Sequence, residues 1–207
     1  AVRIGAVGSA NDILARAVGG GVDVSGDIAL SEDGSITSEQ LAIRSGVADL
    51  GLASLTRSPS GDLSVRLSGT MRSAIVSQQA ESVLGETVDF SADLSRSAAG
   101  ASAVRDLVMT SPRVEVTGGA ELDAEGEIAA EISAALADLS GLGEGISGGL
   151  QFQAVVNGTP QAPEFDATLT GSDLKVQDRD LSDLRLDAEG VADPASPIAD
   201  VSLSGTL

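Results

Sequence analysis

The chain has 207 residues, with 31 acidic and 12 basic side chains, a net charge of −19, no His and no Cys. That charge repels nucleic-acid phosphates and anionic membrane surfaces, and the missing residues exclude Ser-His-Asp and Cys-His catalysis and zinc sites of the usual ligands. Aromatic residues are reduced to Phe90, Phe152 and Phe165, yet 42% of the chain is hydrophobic, so a fold built on Val, Leu, Ile and Ala is expected rather than disorder.

In chain order, Ser9 to Val18 reads as a short amphipathic helix with Ser9 and Asp12 as a capping pair. Alternating runs follow at Val22-Val24-Gly26-Ile28-Leu30 and Leu63-Val65-Leu67. A second amphipathic helix is expected from Met71 to Leu84. Further alternation runs through Val88-Phe90-Ala92-Leu94, Ile128-Ala130-Ile132-Ala134-Leu136, Leu150-Phe152-Ala154-Val156, Phe165-Ala167-Leu169, Leu184-Leu186-Ala188 and Val201-Leu203. A period of two puts the apolar side chains of each strand on one face. Turns are expected at Asp33-Gly34, Ser60-Gly61-Asp62, Gly118-Gly119 and Asn157-Gly158. The fold class is therefore all-β, an antiparallel meander with short helices.

The chain also repeats itself. Val22-Asp23-Val24-Ser25 aligns with Val88-Asp89-Phe90-Ser91 at an offset of 66 residues, which also matches Gly19 with Gly85, Gly34 with Gly100, Leu41 with Leu107 and Ser45 with Ser111. After a slip of one residue, Gly61-Asp62-Leu63 meets Gly126-Glu127-Ile128. Repeat units are expected at 1–70, 71–138 and 139–207, the third less regular.

Other motifs carry no chemistry. Gly143-Glu-Gly145-Ile-Ser-Gly148 matches a dinucleotide-binding pattern, but a strand pattern follows it where a helix is required. Asp178, Asp180, Ser182 and Glu189 suggest a calcium loop, but Asp183 stands where that loop needs Gly. Asn157-Gly158-Thr159 is a glycosylation sequon by pattern and reads better as a hairpin turn. No enzyme, cofactor or metal site is expected. No run approaches the ~20 apolar residues of a spanning helix, and both ends interrupt the pattern, so an interior segment of a longer chain is expected.

The alternation selects thirteen candidate residues for the apolar face: Val22, Val24, Ile28, Leu63, Val65, Val88, Phe90, Ile128, Ile132, Phe152, Phe165, Leu184 and Leu186. Such a face suits either the closed core of a sandwich or β-solenoid stalk, or the lining of an open groove. Strands of ~6 residues would be ~20 Å long, close to the reach of one acyl chain in half of a ~30 Å hydrocarbon layer.

Three stretches resemble the TamB (translocation and assembly module) branch of the AsmA-like family. These are Gly126 to Leu139, with its alternating strand closed by Ala137-Asp138-Leu139; Gly158-Thr-Pro-Gln-Ala-Pro163 leading into Phe165 to Val176; and Leu181 to Gly190, with Leu203 to Leu207. The resemblance covers nearly the whole chain in cadence. It lacks the family's N-terminal membrane anchor and C-terminal domain. It implies a sheet curled into an open, taco-like groove that shelters phospholipid acyl chains between the inner and outer membranes. It also implies a place in the periplasm of a Gram-negative bacterium, within a protein anchored in the inner membrane. The implied partner is an outer-membrane barrel of the TamA type, with a role in outer-membrane protein assembly. Exposed strand edges predict self-association.

Overall fold

The computed structural model describes residues 2–4, 22–45, 48–73, 81, 84–142, 145–177, 179–192 and 198–206. Its strands are β1 (Val2–Ile4), β2 (Val22–Gly26), β3 (Ala29–Leu30), β4 (Ile36–Ser38), β5 (Leu41–Ser45), β6 (Ala48–Arg57), β7 (Leu63–Arg72) and β8 (Thr87–Arg96), then β9 (Ser102–Thr110), β10 (Val114–Leu122) and β11 (Ile128–Leu136). After a 3-10 turn at Leu139–Leu142 come β12 (Ile146–Thr159), β13 (Ala162–Val176), β14 (Arg179–Val191) and β15 (Ile198–Thr206). All belong to one 15-stranded antiparallel sheet in which β1, β2 and β5 to β15 follow in sequence order. The small β3–β4 hairpin sits off this path, with β4 also paired to β6. Strands β1 and β15 are not paired to each other, so the sheet is not closed into a barrel.

The turns explain the order. Four five-residue turns, 31–35, 58–62, 97–101 and 123–127, share one hydrogen-bond pattern. The first residue donates its N–H to the carbonyl of the fifth, and the glycine at the fourth place donates to the carbonyl of the first. Those glycines, Gly34, Gly61, Gly100 and Gly126, have φ of 84°, 102°, 101° and 90°, a region that L side chains avoid. They are the glycines that the sequence offset aligned. Register shifts between Leu52 and Ser54 in β6 and between Gly118 and Ala120 in β10 occupy positions 66 residues apart as well. The extra residue is Ala53 of β6 in the first, and in the second it lies in β9 between Val104 and Leu107; such a bulge bends and twists the strand that carries it.

Several expectations change. Gly118-Gly119 is no turn but the middle of β10, where a Cβ on Gly118 would collide with the Glu131 carbonyl oxygen. Close backbone approach, not chain reversal, is what requires glycine there. Asn157-Gly158 lies inside β12, and the hairpin closes one pair later, at Thr159 and Ala162. The tolerance of glycine for positive φ is still used, since Gly158 has φ of 97°. The helix expected from Met71 begins later, because Met71 and Arg72 complete the alternation of β7; Glu81 and Leu84 are helical. The 70/71 unit boundary consequently falls inside β7, whereas 138/139 falls between β11 and the 3-10 turn. The helix expected over 9–18 lies outside the described residues. Strands β6 to β11 have 9 to 10 residues, about 31–34 Å at ~3.4 Å per residue, longer than the sequence reading assumed.

The glycine turns generate a direct expectation. A Cβ on Gly100 meets nothing within 4 Å, so Gly100→Ala strains the backbone alone and lowers unfolding stability by about 1–2 kcal/mol. Gly34→Ala in the matching turn behaves alike, as urea titration followed by circular dichroism will show.

Candidate functional site

Residues paired across an antiparallel ladder point to the same face. Following the pairs from strand to strand gives one row from β2 to β15: Val24, Ile43, Leu50, Gly69, Phe90, Met109, Val116, Ala134, Phe152, Leu169, Leu186 and Leu203. A second row on the same face, toward the turns that include 58–62, is Leu55, Val65, Leu94, Val104, Ala120, Ala130, Val156 and Phe165. One residue out of phase, the opposite face reads Ser25, Ala42, Gly51, Ser68, Ser91, Val108, Thr117, Ser133, Gln153, Thr168, Asp187 and Ser202. The sheet is one-sided.

Most candidate residues fall where the alternation put them. Val24, Phe90, Phe152 and Leu186 share the first row, Val65 and Phe165 the second, and Ile132 lies between the rows, paired with Gly118 and Ala154. Leu63 and Ile128 lie nearest the five-residue turns, and Val88 lies toward the opposite strand ends, paired with Met71. The backbone of Val22 pairs with Ser45, and its side chain lies outside what is described. Leu184 sits in a register shift of β14, beside Gly171 and Gly205. Ile28 differs: it stands in the break between β2 and β3 and is 64% exposed, because the alternation from Val22 to Leu30 spans two strands rather than one. Sequence reading missed Leu50, Leu52, Val104 and Met109. The bulges at Ala53 in β6 and around Asp106, whose φ is 50°, shift the period and hide the alternation.

The apolar face is only partly covered. Among the described residues the buried hydrophobic ones are Val88, Ala92, Leu139 and Leu174. Phe90, Phe152, Phe165 and Leu186 are only half-buried, and Ile132, Val201 and Leu203 are 38%, 63% and 69% exposed. A closed sandwich core buries its inward side chains almost completely. A shallow cleft of about 470 Å³ at the turn end of the strands is lined by the polar-face residues Ser64, Ser95, Ala103 and Glu121 together with Leu63, Arg96 and Leu122. The apolar face is a continuous surface rather than a pocket.

The polar face carries the ionic chemistry. The Arg66 guanidinium donates from Nε and Nη2 to the two carboxylate oxygens of Asp93 at 2.8 and 2.7 Å, across β7 and β8. This fork holds the Asp93 carboxyl below its ordinary range and raises the Arg66 pKa. Arg105 pairs with Glu121 across β9 and β10, and Lys175 with Asp180 across β13 and β14. Within β14, Arg185 holds Asp187, which also accepts from the Thr168 hydroxyl on β13; the arginine first and the hydroxyl second lower the Asp187 pKa. Asp62 accepts hydrogen bonds from the Ser60 and Ser58 hydroxyls and from the Ala98 N–H, tying turn 58–62 to turn 97–101.

Among the described residues no group of His, Cys, Asp and Glu side chains is arranged to hold a metal ion, and no helix is long and apolar enough to cross a membrane. Comparisons with protein-family models, curated proteins and solved structures found no match to this chain.

The Arg66–Asp93 fork sets a pH dependence. The folded-state pKa of Asp93 lies below its ordinary 3.8, so its contribution is present above that value and is lost as the pH falls through the lowered one. Asp93→Asn therefore lowers Tm at pH 7 relative to the parent, and in thermal melts the gap closes as the pH falls through the lowered pKa and the parent carboxylate is protonated as well. Salt at 1 M narrows the gap at pH 7.

Proposed function

We propose that this chain is a non-enzymatic segment of a lipid conduit, whose apolar sheet face shelters acyl chains while polar headgroups stay in water. The observation that carries the reading is an apolar face continuous from β2 to β15 that stays half-exposed. Large exposed apolar surfaces on monomeric proteins mark interaction sites for apolar ligands, membranes or partners. Here the rows are lined mainly by Leu, Val, Ile, Ala and Phe, and the chain has no Trp or Tyr, so no polar aromatic ring fixes a ligand at one place along them. A uniform lining favours sliding over stationary binding. Each methylene removed from water contributes ~0.8 kcal/mol, so an acyl chain gains on the order of 10 kcal/mol before ordering costs.

The resemblance to the TamB branch extends this proposal to a bridge in the periplasm, carrying phospholipid between inner and outer membranes beside an outer-membrane barrel of the TamA type. The nine residues of β15 are all exposed and pair with β14 alone among the described residues. This edge is where the sheet adds a further strand or a second chain. A stalk with a closed core, the rival reading, calls for many fully buried apolar side chains, whereas Val88, Ala92 and Leu174 are the buried hydrophobic residues of the described strands.

A photo-crosslinking scan tests the proposal. A benzophenone amino acid at Val24, Val65, Phe90, Ile132 or Phe152 captures lipid in cells, whereas the same group at Asp23, Arg66 or Asp89 on the opposite face does not. Absence of lipid adducts at both sets sinks the conduit reading.

A further inference from the structure

The apolar face is free of acid, although the chain carries 31 acidic residues. Among the positions that strand pairing assigns to that face, none is Asp or Glu. Its charged members are three arginines. Arg179 stands apart on β14, paired with Val176. Arg57 on β6 and Arg96 on β8 flank Leu63 of β7 in a single row, since Arg57 pairs with Leu63 and Leu63 with Arg96. With neighbouring strands ~4.8 Å apart, the two backbones lie about 10 Å apart, within the joint reach of two arginine side chains to one phosphate.

Two facts set this pair apart. Both side chains are exposed and have no ion pair among the described residues, whereas Arg66, Arg105 and Arg185 each hold a carboxylate. Asp62, one residue before Leu63, is engaged by Ser58, Ser60 and Ala98. The second fact is position. The pair stands at the strand ends beside turns 58–62 and 97–101, and the next row of the same face is Leu55, Val65 and Leu94. Charge at the rim and apolar rows behind it match an amphiphile with a charged head and a long tail. Arginine suits the head, because its planar fork binds phosphate oxygens in pairs.

We infer that Arg57 and Arg96 form a headgroup site for a phosphate-bearing amphiphile whose tail lies along β6 to β8. The inference rests on the conduit reading and gives it a point of entry and a charge preference: an otherwise uniform lining holds phosphate heads at this end of the strands.

The test compares the parent chain, the double variant R57Q/R96Q and the polar-face control R44Q by calorimetry. The probes are dodecyl phosphate and dodecyl maltoside below their critical micelle concentrations. The expected result is a Kd for dodecyl phosphate about tenfold weaker in R57Q/R96Q, consistent with loss of charge-assisted hydrogen bonds, with R44Q like the parent. Dodecyl maltoside binds all three chains alike, and millimolar inorganic phosphate does not displace dodecyl phosphate. If dodecyl phosphate binds the double variant as tightly as the parent, the arginine site is wrong while the apolar-face reading stands. Displacement by inorganic phosphate at matching concentration replaces the amphiphile site with a free-anion site. Failure of both detergents to bind the parent overturns the conduit reading and this inference with it.

Discussion

The structure depends on register. Every strand from β5 to β14 pairs antiparallel with the next strand in the chain, so each ladder fixes which residues face each other. A slip of one residue at any ladder would send that strand's apolar set to the opposite face. The unbroken row from Val24 to Leu203 therefore reflects eleven ladders agreeing with one another. Where the strands need to bend, the bulges at Ala53 in β6 and around Asp106 in β9 absorb an extra residue and let the row resume. The forks and hydroxyl ladders of the polar face reinforce the same pairing from the other side. Exposed ion pairs contribute little each, and their value here is in discriminating the correct register from its neighbours.

A one-sided sheet of this kind leaves its apolar face in need of cover. Hairpins joining neighbours in sequence build a sheet without bringing a second layer over it, and the described strands supply none. The half-exposure of Phe90, Phe152 and Leu186 follows from that topology, as does the greater exposure of Val201 and Leu203 on the edge strand. The same topology keeps acidic side chains on the wetted face, where they oppose aggregation through a net charge of −19. Separation of charge from apolar surface by strand parity is what makes two arginines on the apolar side conspicuous.

Much of this was legible in the sequence. The alternation at Val88-Phe90-Ala92 and Ile128-Ala130-Ile132 locates strands and faces together, because the period of a strand is its side-chain geometry. Self-alignment found Gly34 with Gly100 and Gly61 with Gly126, since each pair holds one turn whose φ only glycine accepts readily. Other glycine signals misled: Gly118-Gly119 and Asn157-Gly158 carry turn chemistry but serve close strand approach and a twisted strand end. Strand β9 escaped notice because the irregularity at Asp106 breaks its period. Whether the apolar face is open is not encoded in any local pattern, since a covered and an uncovered strand alternate in the same way.

The absence of cysteine makes a clean measurement of that openness available. Single cysteines placed at Ile43, Phe90, Ala134 and Leu169 along the first row would be reacted with a small maleimide under native conditions and compared with the urea-unfolded chain. An open face predicts native rates within about tenfold of the unfolded ones, reduced when a long-chain detergent occupies the face. Protection by several orders of magnitude without detergent, of the kind that global unfolding stability confers on a closed core, would contradict the account.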